Sequence, residues 1–197
     1  SGRKVHPIGL NLFKTVLALV IMAPTMLVLS EPLFPAVPAS TTGLLLISGV
    51  LGVALSDTLF FHSLNRLGAS LVAIVDCFYS PFVISLSFLL LGERLSVWQL
   101  VGAALVVSAV LTISREKRTE KLDGKNLAVG ILYGVLAMFF VAFGFVMVKP
   151  VLGTVSVVWA TLVRLAGGAA ALVIIVPFLR NRRAILGPLV DRDNWKA

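Results

Sequence analysis

The chain repeats apolar segments that are long enough for a helix to cross a lipid bilayer. The hydrocarbon core of a bilayer is roughly 30 Å thick, and an α-helix crosses it in about 20 residues. Because lipid offers no hydrogen-bond partners to the backbone, a helix that satisfies its own polar groups is the simplest structure for such a segment. The sequence predicts six of these spans, over residues 8–29, 42–64, 71–91, 97–114, 127–148 and 155–179.

Composition places the chain among integral membrane proteins. Hydrophobic residues make up 58% of the 197 residues and charged residues 13%, which is far from the balance of a soluble domain. The predicted fold class is therefore all-α, a polytopic integral membrane helix bundle.

The net charge of +8 comes mainly from lysines and arginines in the connectors between the spans. In a soluble protein this excess would suggest nucleic acid. In the loops of a membrane protein it orients the helices instead, so no nucleic-acid partner is expected. If the spans alternate in direction, most basic residues collect on one side, which is then predicted to be cytoplasmic. That side holds Arg3, Lys4, Arg66, Arg115, Lys117, Arg118, Lys121, Lys125, Arg180, Arg182 and Arg183.

The sequence shows none of the common motifs of enzymes and cofactor sites. It contains no phosphate-binding glycine loop, no Gly-x-Ser-x-Gly elbow and no H-E-x-x-H segment. Cys77 is the single cysteine, and His6 and His62 have no partner at metal-ligand spacing. We therefore expect no enzyme, no catalytic residue, no metal site and no cofactor.

Five ionisable side chains lie inside the predicted spans, where each charge costs at least about 2.5–3.5 kcal/mol on insertion scales. They are Lys14, Asp57, His62, Asp76 and Arg164. Lys14 and Arg164 lie near the starts of their spans. Their long side chains can extend to the lipid headgroups, or else contact a substrate or an anion.

The two aspartates are too short to reach the headgroups. Their spans are antiparallel neighbours joined by a turn around Leu67, so we expect Asp57 and Asp76 at similar depth. We predict that both face the bundle interior, with His62 as a third member and Tyr79 beside them, and bind a proton or a cationic substrate. The alternative is that these polar groups only hydrogen-bond the two helices to each other.

Pro81 is predicted to interrupt the third span, because proline lacks the N–H that a helix needs in its interior. Its missing N–H frees a carbonyl near the middle of the span. Such a break can line a cavity, or it can be a kink that serves packing.

Several segments resemble the EamA repeat of the drug/metabolite transporter superfamily. One is LSDTLFFHSLNRLGAS at residues 55–70, followed by YSP at 79–81. The most specific is LGERLSVWQ at 91–99, which leads into a helix rich in glycine and alanine. The segment FFVAFGFVMVK at 139–149 resembles the end of the first helix of a repeat. Together the resemblance covers nearly the whole chain.

The resemblance implies ten helices in two five-helix repeats of inverted orientation. When the chain is aligned with these repeats, residues 1–114 form the last four helices of the first EamA repeat, and 115–126 form a charged linker. Residues 127–197 form the first two helices of the second EamA repeat and a following loop. The chain is then expected to be a fragment that lacks one helix before its start and three after its end.

The same resemblance implies a membrane transporter, exporter or importer, that moves a small organic metabolite by alternating access. The expected partners are a small-molecule substrate and membrane lipid, with proton coupling as one way to drive the flux. The expected location is the plasma (inner) membrane. The candidate substrate- or proton-binding residues are Asp57, His62, Asp76, Tyr79, Arg164 and Lys14.

Two other expectations accompany this function. For Glu93 and Arg94 the resemblance implies a structural role, in which they pair with each other or with neighbouring polar groups. The alternative function is a non-transporting membrane scaffold or assembly subunit, in which the buried polar groups serve helix association only.

Overall fold

The computed structural model describes residues 6–32, 35–94, 96–116 and 124–178. Most of the charged linker predicted at 115–126, and the loop expected after the last span, lie outside the described residues.

Eight α-helices follow one another in this part of the chain. They are α1 (Pro7–Val28), α2 (Ala39–Gly49), α3 (Ser56–Leu67), α4 (Ala69–Asp76), α5 (Tyr79–Leu91), α6 (Val97–Glu116), α7 (Gly124–Val148) and α8 (Val157–Ile175). A π-helical segment, Val50–Leu55, joins α2 to α3 without interrupting the run of helix. Short 3-10 turns extend α7 and α8 over Lys149–Val151 and Val176–Phe178.

Five helical runs are long and apolar enough to cross a bilayer. They are Pro7–Val28, Ala39–Leu67, Ala69–Leu91, Lys125–Val151 and Val157–Ile175. Each coincides with a predicted span, so the prediction of an all-α, polytopic membrane bundle is confirmed. The remaining predicted span, 97–114, corresponds to helix α6, whose segment Val97–Ser108 is apolar.

The periphery of the bundle is apolar. Large hydrophobic side chains are exposed on most of its helices, among them Val20, Val28, Leu89, Trp98 and Ile174. A water-soluble monomer rarely carries so much contiguous apolar surface, whereas lipid solvates it without cost.

The second and the last span approach each other through glycines. A Cβ atom on Gly49 would lie 1.9 Å from the carbonyl oxygen of Arg164, and one on Gly167 would lie 2.6 Å from that of Leu46. Small residues of this kind let the backbones of membrane helices touch, so that dispersion forces hold the pair together.

A ladder of buried serines fastens the second span to the central helix α7. Each hydroxyl donates to a backbone carbonyl of α7: Ser48 to Gly144 at 2.6 Å, Ser56 to Ala137 at 2.9 Å, and Ser63 to Gly130 at 2.9 Å. We name these three residues the serine ladder. Since every hydroxyl is buried and paired, the ladder fixes the rotation of the second span against α7.

The π segment brings the serine ladder into register. The accepting carbonyls on α7 are seven residues apart, whereas Ser48 and Ser56 are eight apart. A π turn holds one more residue than an α turn, and here the N–H of Ser56 reaches back five positions to the carbonyl of Leu51. The π turn thereby accommodates the extra residue between Ser48 and Ser56. Asp57 directly follows Ser56.

Candidate functional site

The third span is broken near its middle. Helix α4 ends at Asp76 and α5 begins at Tyr79, so the interruption predicted from Pro81 is observed just before the proline. At the break the N–H of Cys77 and that of Phe78 bond to carbonyls three residues earlier, at 3.3 and 3.0 Å, which tightens the end of α4. The break places Asp76 at a helix end in the interior of a membrane span.

An open cavity of about 470 Å³ lies against this break. Its walls come from α3, from the junction of α4 and α5, and from α7. The lining residues are Ser56, Asp57, Phe60, Asp76, Cys77, Tyr79, Ser80, Met138 and Val141. Its volume is that of a small-molecule site, and its mixture of apolar walls with a few polar groups is typical of such sites. Irregular backbone within a membrane is tolerated where it borders a cavity of this kind.

Asp57 is one of two carboxylates in the cavity wall, and it is paired. Its Oδ2 atom contacts the Nζ atom of Lys14, which reaches across from α1. The side chains are 24% and 46% exposed, respectively, so the pair is only partly shielded. Lys14 therefore extends to a carboxylate of the bundle, and α1 is tied to α3 at this point.

Asp76 is the other carboxylate, and its surroundings differ. The residue is exposed to the cavity, and within the described residues no side chain forms an ion pair or a hydrogen bond with it. Both aspartates thus line one cavity; Lys14 pairs with Asp57, and within the described residues no side chain pairs with Asp76.

Tyr79 lines the cavity, and Arg164 does not belong to its lining. Tyr79 is half-buried, and Arg164 lies on α8. The Arg164 guanidinium carbon is 6.0 Å from the centre of the Phe145 ring, and its buried Nε atom has no hydrogen-bond partner in the described part. Arg164 is therefore next to the cavity and not in its wall.

His62 lies apart from the cavity, towards one end of the bundle. Its ring centre is 6.2 Å from that of His6 and 5.6 Å from that of Tyr133. Arg66 lies over the ring of the same tyrosine, with its guanidinium carbon 5.2 Å from the ring centre. The structure thus brings Asp57, Asp76 and Tyr79 together and leaves His62 outside the lining.

Asn11 is a buried polar residue that the sequence analysis did not single out. Its Nδ2 atom lies 3.0 Å from the carbonyl oxygen of Val53, 3.1 Å from that of Ala54 and 3.1 Å from the Thr58 hydroxyl. A signal was present in the sequence, since an amide inside an apolar span needs partners as an ionisable group does. Asn11 also precedes Lys14 by three positions, which puts both on one face of α1.

Glu93 forms an ion pair at the far end of α5. The Nζ atom of Lys149 lies 2.5 and 2.7 Å from its two carboxylate oxygens. Of the two partners expected for Glu93, the structure shows a neighbouring polar group and not Arg94. The pair joins the end of α5 to the end of α7.

The described residues offer no evident metal centre. Across 6–32, 35–94, 96–116 and 124–178, no three side chains of histidine, cysteine, aspartate or glutamate are grouped as metal ligands. The polar groups in the cavity wall are two carboxylates, three hydroxyls and a thiol, and the ammonium group of Lys14 contacts one of the carboxylates from outside the lining.

Apolar crossing helices around a polar cavity define the class of this molecule, a multi-pass integral membrane protein. The model of the EamA-like transporter family matches residues 1–115, more than half of the chain. No curated protein and no solved structure matches. The chain belongs to the EamA-like transporter family, which confirms the resemblance of the motifs at 55–70, 79–81 and 91–99; the segment at 139–149 lies outside the matched residues. Membership in this family points to a membrane transporter of small molecules rather than to an enzyme.

Proposed function

We propose that this protein carries a small organic metabolite across the membrane by alternating access, and that the cavity at the α4–α5 break is its binding site. The observation that carries the proposal is Asp76, a carboxylate without a partner in the described part, at a helix break in the cavity wall. A charge in this position is expensive unless a counter-charge or a proton accompanies it.

The balance of charges supports a positively charged ligand. Lys14 compensates Asp57, so among the described residues that line the cavity Asp76 is the one charge without an opposite partner; the guanidinium of Arg164 lies outside the lining. Phe60 and Tyr79 add aromatic rings to the same wall, and the faces of such rings attract cations. The ligand at Asp76 is then a proton or an organic cation, and the two compete for one carboxylate.

The position of the cavity supports the division into repeats. If residues 1–114 belong to the first repeat and 127–197 to the second, the cavity lies between α3, α4 and α5 of one repeat and α7 of the other. Transporters built from inverted repeats bind substrate at the repeat interface, often at discontinuous helices, and rock one repeat against the other. We place the protein in the plasma (inner) membrane.

The alternative function is a membrane scaffold that transports nothing. It is favoured by the number of polar groups that serve contacts between helices: the buried serine ladder, the buried Asn11, and the partly exposed pair of Lys14 with Asp57. In a scaffold Asp76 would have no ligand, and the cavity would be a defect of packing.

Cys77 provides a direct test, because it is the single cysteine of the chain and lines the cavity. The rate at which neutral methyl methanethiosulfonate modifies it is measured by mass spectrometry on the purified protein. We expect phenyltrimethylammonium to slow the reaction and the uncharged tert-butylbenzene, of similar shape, to leave it unchanged. Asp76→Asn should raise the protecting concentration about tenfold or more, since bonds to charged groups contribute about 1.5–3 kcal/mol.

Glu31→Gln is the matched control, because it removes an equal charge outside the cavity lining. Flux is then followed in proteoliposomes with labelled phenyltrimethylammonium, which crosses lipid poorly by itself, and with a pH-sensitive dye for protons. Protection that disappears in Asp76→Asn, together with flux of either species, supports the transporter. Unprotected Cys77 and no flux of either species would overturn it and leave the scaffold.

A further inference from the structure

We propose that Asn11 is a positioning residue: its amide stabilises the π turn of the second span and thereby keeps Asp57 directed at Lys14 and the cavity. The proposal rests on the proposed function, because the position of Asp57 matters for transport only if the cavity is the binding site.

Asn11 lies within hydrogen-bond distance of the backbone of the π turn. In a π turn the N–H groups reach back five residues, so the backbone pairing of the flanking α-helices is shifted there. The Asn11 amide lies within hydrogen-bond distance of two successive carbonyls of this turn, those of Val53 and Ala54. Asn11 itself is completely buried, so no water or lipid headgroup can replace it.

A second hydroxyl supports the same turn. Thr58 donates to the Ala54 carbonyl at 2.6 Å and lies 3.1 Å from the Asn11 amide. Thr15, also completely buried, donates to the side-chain oxygen of Asn11 at 3.2 Å and so holds the amide in orientation. The donors of Asn11 therefore point to the π turn and its acceptor points back to α1.

The geometry of the π turn determines where Asp57 points. One residue of an α-helix corresponds to about 100° of rotation and about 1.5 Å of rise. Without the extra residue of Val50–Leu55, the side chains that follow would be turned by that angle relative to α2. Asp57 is the second residue after the π segment, so it would leave both the cavity wall and Lys14.

Helix α1 carries the Asn11 amide and the Lys14 ammonium group on one face. Asn11, Lys14 and Thr15 have the i, i+3, i+4 spacing of one helix face. Asn11 contacts the π turn, Thr15 contacts Asn11, and Lys14 contacts Asp57. One face of α1 consequently contacts both the π turn and Asp57. Removal of the Asn11 amide should therefore disturb the ion pair between Lys14 and Asp57.

A double-mutant cycle tests this link. Asn11→Leu keeps a similar side-chain volume and removes the donors, and it is combined with Asp57→Asn. We expect Asn11→Leu to raise the KM for phenyltrimethylammonium about tenfold, and the double variant to be no worse than Asp57→Asn, because residues that act through one another are not additive. Thr25→Val is the control: it removes another side-chain hydrogen bond of α1, to the carbonyl of Ile21, touches neither the π turn nor the cavity lining, and should change the KM less than about twofold.

A readout without transport separates this proposal from the proposed function. Lys14→Met lowers the thermal midpoint of the protein if Lys14 contacts Asp57. We expect that decrease to vanish when Asn11→Leu is already present. If Lys14→Met has the same effect in both backgrounds, or if the effects on KM add, the positioning role is refuted even where transport is intact. Should Asn11→Leu fail to fold, Asn11→Ser, which keeps a single donor, takes its place in both measurements.

Discussion

Replacement of Gly49 by alanine probes the contact that holds the second span against α8. The added Cβ atom would lie 1.9 Å from the carbonyl oxygen of Arg164, and within 2.9 Å of two further backbone atoms of that residue. Real Cβ contacts essentially never fall below 3.0 Å. Because the obstacle is backbone, no side-chain rotation relieves the clash, and the two helices must separate by at least about 1.1 Å.

The expected loss of stability in Gly49→Ala follows from this separation. Over-packing in a close-packed interior costs about 1–3 kcal/mol, and a clash between two backbones belongs at the upper end of that range. We therefore expect Gly49→Ala to lower the free energy of unfolding by about 3 kcal/mol. Gly49 also directly precedes the π segment, so the loss of packing should extend to the serine ladder.

Gly43 is the matched control, because it lies on the same helix α2 and nothing lies within 4 Å of an added Cβ. For Gly43→Ala the free energy of unfolding should be unchanged or higher by up to about 1 kcal/mol, as the helix preference of alanine dictates. Both variants are unfolded with sodium dodecyl sulfate in mixed micelles and followed by far-UV circular dichroism. Equal stability of the two variants would refute the close approach of α2 and α8.

The remaining predictions use the same unfolding measurement. Ser63→Ala removes one rung of the serine ladder and should lower stability by about 0.6 kcal/mol, the mean for polar contacts between membrane helices. Asp57→Asn leaves Lys14 without its carboxylate and should lower the free energy of unfolding by about 1 kcal/mol. Asp76→Asn breaks no contact within the described residues and should leave the free energy of unfolding unchanged. The reverse order would contradict the different surroundings of the two aspartates. Glu93→Gln breaks an ion pair that is close to half exposed, so its effect should stay below about 1 kcal/mol and disappear in high salt.

The sequence alone determined the membrane bundle and the identity of its family. Length and apolarity of a segment are local properties, and lipid leaves a long apolar segment little choice but a helix. For that reason each of the five crossing helices falls within a few residues of its predicted span. The break before Pro81 was predictable on the same ground, because a missing N–H acts on its own helix. That Asp57 and Asp76 lie in one cavity followed from two antiparallel spans joined by a short turn.

Tertiary structure decided which of these polar groups are partners. Whether a side chain on a helix meets a neighbour or a cavity depends on how the helix is rotated about its axis, and distant residues set that rotation. The pairing of Lys14 with Asp57, the position of His62 outside the lining and the contacts of Asn11 all depend on the packing of α1 and α7 against the second span. The π segment has no local signature in the sequence. It allows three serines to match three carbonyls on another helix, and Asp57 is the second residue after it.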